Sequence, residues 1–167
     1  DDIVILKIDE PTLEAMPEPW PWPREYYGEI LYLLNDLGAS QVGFDIQFID
    51  PREGDGDQYF AEAIGQTEMV VLASDLVERN TEFFSGMVKL DPLPILIEAG
   101  AQPGFVGVDR DVDGVIRIAP LYKDTFAAVL SGRINTDLKS TERLIRYRGA
   151  GNTFNTISLM QLFIENG

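Results

Sequence analysis

The order of apolar runs in the first 48 residues constrains the fold most. Ile3–Ile8 is a nearly unbroken β-branched and aliphatic run, the pattern of a strand covered on both faces. Next comes Pro-Trp-Pro-Trp-Pro-Arg (residues 19–24), where each residue before a proline is pushed to extended geometry, so that Trp20 and Trp22 sit in a polyproline-like segment. Pro23 suits a first helical position and Glu25 a first turn; Tyr26, Tyr27, Ile30, Leu31, Leu33, Leu34 and Leu37 then form a wide helical stripe that Gly38 ends. Gln41–Phe48 alternates, with Val42, Phe44, Ile46 and Phe48 on one side and Gly43, Asp45 and Gln47 on the other. Strand, helix and strand in this order predict an α/β fold.

The remaining segments extend it. Pro11–Met16 reads as a short turn or helix, and the acidic loop 49–57 leads into a helix near Gln58–Ile64 with Asp57 as its cap. Residues 69–77 read as a buried strand, 78–92 as a loop and Leu93–Ala99 as a short helix. Residues 104–108 and 115–122 read as two antiparallel strands joined by the turn Asp109–Gly114; a helix over 125–132 and a strand over 144–149 follow. Ser158 and Gln161 form a capping box, with Ile157 and Leu162 spaced as a hydrophobic staple, so the chain closes on a helix. The expected architecture is a single α/β domain: a mixed, mostly parallel sheet flanked by helices, with one antiparallel hairpin.

Composition narrows the chemistry. A chain of 167 residues, 45% hydrophobic, is large enough for one core without a disulfide or metal. It has no cysteine and no histidine, which excludes thiol nucleophiles, Ser–His–Asp hydrolysis and histidine-ligated zinc. A net charge of −15 argues against nucleic acid as a partner. The acid is concentrated in residues 1–114, with 24 acidic against 6 basic side chains, whereas residues 115–167 hold 4 acidic and 7 basic. Residues 1–114 therefore offer a solvated acidic face or a place for cations.

Three constellations are candidate sites. Asp109, Asp111 and Asp113, with Gly114 and Ile116 behind them, match the start of an EF-hand calcium loop. Pro120 stands where the bidentate glutamate should be, and the flanks read as strands. The simpler reading is a hairpin whose aspartates cap their own backbone while Gly114 takes positive φ; Ca2+ is the candidate cofactor in the other. Asp111-Val-Asp113-Gly114 also echoes the nucleophile motif of magnesium phosphatases, without the expected strand, threonine or later lysine. Asp9 and Asp45 close the first two strands, at the end of the sheet where open α/β folds bind ligands, and Arg24 lies on the connection between them. That arrangement serves a ligand crevice or a structural Arg24–Asp45 ion pair. Arg146 and Arg148 around Tyr147 are suited to an anion or an internal carboxylate. Trp22 reads as a core wedge, burying on the order of 150–250 Å², and Trp20 as a partly exposed contact.

Taken together, IVILKIDEPTL, PWPWPREYYGEILYLL, GASQVGFDIQFIDP, the Gly54–Asp57 loop, VDRDVDGVIRIAPL and YRGAGNTF resemble the type-two CHASE domain. This is the cyclase- and histidine-kinase-associated sensory extracellular module. The motif positions here are Trp22, Pro23, Arg24, Asp45, Asp113, Gly114 and Arg117. The stretch KDTFAAVLSGRIN (residues 123–135) is shorter than or divergent from the family's usual helix at that point. The resemblance implies a sensor rather than an enzyme, on the extracytoplasmic face of a bacterial membrane. Residues 1–167 would then be cut from a longer protein, with transmembrane helices at both ends and a cytoplasmic cyclase or kinase as output. Its ligand would be a small molecule or an ion, with Asp9, Trp20, Arg24, Asp45 and Arg117 the positions to contact it, and a second copy of the chain a candidate partner. The competing readings are a divalent-cation phosphohydrolase using Asp111 and Asp113, and a ligand-free spacer or dimerisation module.

Overall fold

A computed structural model describes residues 3–108, 110–120, 124–132, 142–147, 149–151 and 153–166. The elements are β1 (Val4–Lys7), α1 (Glu10–Ala15), α2 (Arg24–Asp36), β2 (Val42–Phe44), α3 (Gly56–Gly65), β3 (Val70–Asn80), β4 (Ser85–Leu90), α4 (Pro94–Glu98), β5 (Gln102–Phe105), β6 (Ile118–Pro120), α5 (Phe126–Leu130), β7 (Glu142–Leu144), β8 (Asn155–Ser158) and α6 (Leu159–Asn166). They form a mixed α/β fold in which parallel strands are flanked by helices. No helix among the described residues is long and apolar enough to cross a membrane.

The chain gathers into two compact units. Residues 1–22 and 146–167 form one, and residues 23–145 form the other as an insertion between them. In the first unit β1 lies parallel to β8, with Val4 opposite Asn155 and Lys7 opposite Ser158. In the second, β2, β3 and β5 run parallel in the order β2–β3–β5. Alternation then sets the two faces of this sheet. Val42, Phe44, Val70 and Leu72 are buried, and Phe44 meets Tyr27 of α2 and Phe60 of α3 edge-on, at centroid distances of 6.1 and 5.7 Å. On the opposite face the register places Gly43, Val71, Ala73 and Gly104 side by side, under α5.

The glycines on that face are required by close approach. A Cβ at Gly104 would lie 2.6 Å from the Phe126 Cα, and one at Gly43 2.8 Å from the Phe126 ring. The Phe126 ring can turn aside, but its backbone cannot. Gly104→Ala is therefore expected to destabilise the fold by about 1–3 kcal/mol through overpacking. Gly43→Ala should cost less, and urea denaturation of the two variants side by side checks the order.

Helix α2 ends as its glycine foretold: Gly38 has φ +83°, and Ala39 N–H donates to the Leu34 carbonyl at 2.9 Å. Pro23 is the N-cap of α2 rather than its first helical residue. The Trp20–Pro21 bond is cis, a departure from a uniform polyproline segment.

Several expectations need correction. β1 is not covered on both faces: Val4 and Ile5 are 48% and 43% exposed, Ile3 just before it 58%, and among the described residues it pairs only with β8 in a two-stranded sheet. Among the described residues, 104–108 and 115–120 do not pair as a hairpin, and 121–122 lie outside the described residues. Helix α4 carries the chain back beside β3, so β5 joins the parallel sheet, and β6 instead pairs antiparallel with β7. The hairpin lies where a loop was expected. β3 runs on to Asn80 and β4 returns along it, pairing Asp75 with Leu90 and Asn80 with Ser85. In β4, Gly86, Val88 and Leu90 are half-buried and Ser85, Met87 and Lys89 exposed, a two-residue period that glycine and charge conceal in the sequence. The late strand covers Glu142–Leu144, ahead of the expected 144–149.

Candidate functional site

Arg24 opens α2 and is 4% exposed. Its partner is Asp57, not Asp45. Arg24 Nε donates to Asp57 Oδ1 at 3.2 Å, Nη2 donates to the Asp50 carbonyl at 3.2 Å, and the guanidinium lies 4.7 Å from the Phe48 ring centre. Asp57 Oδ2 in turn accepts from Arg52 N–H at 2.9 Å. Asp57 therefore does not cap α3 with its side chain; Asp55 occupies the N-cap position, with no side-chain cap bond. One buried cation thus holds both ends of the acidic loop 50–57 on the entrance of α2. Asp45 is exposed, just beyond β2, and Arg24 is committed elsewhere. The ion-pair reading named the wrong carboxylate because an arginine reaches whichever acid the loop folds back to it, and sequence distance does not reveal which. Close by, burial pushes the Tyr27 phenol up to about 12.

In the first unit Asp9 joins two helix starts. It is the N-cap of α1, accepting from Thr12 Oγ1 at 2.8 Å and more weakly from Thr12 N–H at 3.4 Å. Ser158 Oγ donates to the same oxygen, Oδ1, at 2.7 Å, while Ser158 N–H donates to Gln161 Oε1 at 3.1 Å, the backward half of the capping box. Met160 N–H donates to the fully buried Thr12 at 3.2 Å. The Ser158 and Thr12 hydroxyls hold the Asp9 carboxyl below its ordinary 3.8. A lowered folded-state value means stability that is present above 3.8 and lost as pH falls through the depressed value. Asp9→Asn is thus expected to melt below the wild type at neutral pH, with the gap closing on acidification. Melting curves for both at about pH 7 and about pH 2.5 check it.

The third constellation is the turn after β5. Arg117 forks onto Asp113, with Nη1–Oδ1 at 2.8 Å and Nη2–Oδ2 at 2.7 Å, and Nη1 also donates to Asp111 Oδ2 at 2.7 Å. Val115 N–H donates to Asp113 Oδ1 at 3.1 Å, Asp111 N–H to the Val115 carbonyl at 3.0 Å, and Gly114 takes φ +80°. The guanidinium stands first among the causes that lower the Asp113 carboxyl below its usual value. An arginine thus lies between two of the three carboxylates proposed for calcium, and Asp109 falls outside the described residues. Among the described residues no group of three or more acidic side chains gathers as a metal site.

Of the remaining positions, Trp22 is completely buried, while Trp20 is 45% exposed and edge-on to Trp22 at 5.2 Å. Arg146 and Tyr147 are exposed, and Arg148 lies outside the described residues. The sequence places Asp57 and Ser158 only as helix caps and Phe48 only on an apolar face, without their contacts to Arg24 and Asp9, and gives no role to Thr12. The spacing of Asp9 and Thr12 was a readable N-cap signal; nothing local pointed to the Ser158 contact, which is made across 149 residues.

No curated protein and no solved structure matches the chain. The family model of the CHASE2 domain matches residues 1–165, a span that takes in every constellation described above. The chain therefore belongs to the CHASE2 family of extracellular sensory domains, which are not catalytic.

Proposed function

We propose that this domain is the signal-input module of a bacterial transmembrane receptor, held outside the cytoplasmic membrane and governing a cytoplasmic cyclase or kinase. The observation that carries the reading is the first unit. It brings the strand at the beginning of the chain beside the strand and helix at its end, and one carboxylate, Asp9, ties the two. Segments continuing from both ends would leave from one compact body, so a small change in the fit of β1 against β8 reaches both at once. Binding drives such a change only through different affinity for the two arrangements.

A cross-link tests this. Leu6 and Ile157 are directly opposite each other on adjacent parallel strands, which lie about 4.8 Å apart, and the chain has no cysteine of its own. In a full-length receptor, Leu6→Cys with Ile157→Cys should respond normally when reduced. It should be fixed in one output state when oxidised. An oxidised receptor that still responds fully would show that the β1–β8 pair is not the moving part, and a receptor whose output ignores replacement of the whole domain would remove the input role.

A further inference from the structure

We propose that the first unit binds a small, uncharged aromatic molecule bearing an O–H or N–H donor, in the groove between the β1–β8 pair and the loop residues Gly149, Ala150, Gly151 and Thr153. The inference rests on the sensory reading for its purpose, and on the groove alone for its chemistry.

The groove has a volume of about 330 Å³, near the lower limit for small-molecule sites and suited to one or two rings. Ile5 and Thr156 stand directly opposite each other in the strand register, so their side chains share one face of the pair. Phe154 precedes β8, and Tyr147 forms a further wall. Ile5, Phe154 and Tyr147 are all exposed, so three large apolar side chains of this unit meet water around one concavity. Gly149 and Gly151 add no side chain to the remaining wall, and a flat ring can approach the loop backbone closely.

The polar groups set the rest. Thr153 Oγ1 donates to the Ala150 carbonyl at 2.6 Å and Thr156 Oγ1 donates to the Phe154 carbonyl at 3.0 Å. Both hydroxyl hydrogens are thus used within the protein, leaving oxygens that accept. A ligand matched to them brings a donor. Among the described residues none of the side chains lining the groove is charged, and a chain of net charge −15 disfavours an anion at long range. Because the floor is the strand pair that joins the two ends of the chain, an occupant bears directly on the contact proposed to transmit the signal.

The test is titration of the 167-residue chain with p-cresol and with indole, followed by ligand-observed NMR. Toluene, which lacks the donor, and 4-hydroxybenzoate, which carries a charge, serve as comparisons. Saturable binding of p-cresol or indole with a dissociation constant on the order of 1 mM or tighter is expected, at least about tenfold tighter than either comparison. Gly151 lines the groove and a Cβ there meets nothing within 4 Å, so Gly151→Leu adds bulk at a lining position without a Cβ clash. It should weaken binding about tenfold while leaving the melting temperature close to wild type, and Phe154→Ala should weaken it by removing a wall. The proposal is overturned by an absence of saturable binding, by binding that survives both variants, or by 4-hydroxybenzoate binding as well as p-cresol. Such a failure leaves the receptor cross-link result untouched, and a failed cross-link leaves these titrations standing.

Discussion

Arg24→Ala is expected to lower the melting temperature by on the order of 10 °C. The side chains of the pair are 5% and 13% exposed, so removing the cation leaves Asp57 as an unpaired charge in a largely dry setting. Breaking a buried pair from one side costs about 3–5 kcal/mol, and a chain of this size loses roughly 2–4 °C per kcal/mol. The same change removes the donor to the Asp50 carbonyl and the cation over Phe48. Arg24→Lys should fall between, since an ammonium keeps the charge but not the flat fork that serves two acceptors and a ring. Arg24→Met combined with Asp57→Leu should recover much of the loss, because the cost lies in the orphaned charge rather than in the absence of the pair. Circular dichroism melts of the four proteins decide. A shift below about 2 °C for Arg24→Ala would mean that the acidic loop is held by something else.

Phe60→Ala should cost a similar amount by a different mechanism. Phe60 is completely buried, and its ring centre lies 5.0 Å from that of Phe48, 5.7 Å from that of Phe44 and 5.9 Å from that of Tyr27. This aromatic cluster joins α2 and α3 to the sheet. Truncation of such a phenylalanine costs about 3–5 kcal/mol in lost burial and residual cavity. Against a total stability of about 5–15 kcal/mol, that can leave a substantial unfolded population. Phe83→Ala is the matched control: Phe83, in the β3–β4 turn, is 92% exposed, and its loss should stay within about 0.5 kcal/mol. Equal effects in the two variants, measured by urea denaturation, would contradict the assignment of the core. Because Phe48 touches both the cluster and Arg24, Arg24→Ala and Phe48→Leu should not add, whereas Arg24→Ala and Gly104→Ala are expected to come closer to additivity.

Some of this was legible in advance. The alternation of Val42, Phe44, Ile46 and Phe48 put the aromatic face of β2 on the correct side, and the apolar stripe with Gly38 at its end delimited α2 to within a residue. The run of motifs from Ile3 to Phe154 identified the family without any coordinates. Of the candidate sites, the Asp111–Gly114 turn was readable because its contacts span only a few residues, Arg117 included. Asp9, Arg24 and Asp45 were correct as places where strands and helices begin or end. Their partners were not readable, and neither was the β3–β4 ribbon, whose half-buried positions include a glycine and whose exposed ones include methionine.

What this sequence determined by itself is local: which segments extend or coil, which face of each is apolar, and which backbone positions need glycine or a cap. These follow from dihedral preference and from hydrophobic period, quantities that reach only a turn or a strand along the chain. The tertiary structure alone decided that Asp57 rather than Asp45 meets Arg24, that Ser158 meets Asp9, and that β5 joins β3 instead of β6. Each is a choice among acceptors or edges of equal local chemistry. That choice is made by which long-range arrangement buries the aromatic cluster without burying an unpaired charge.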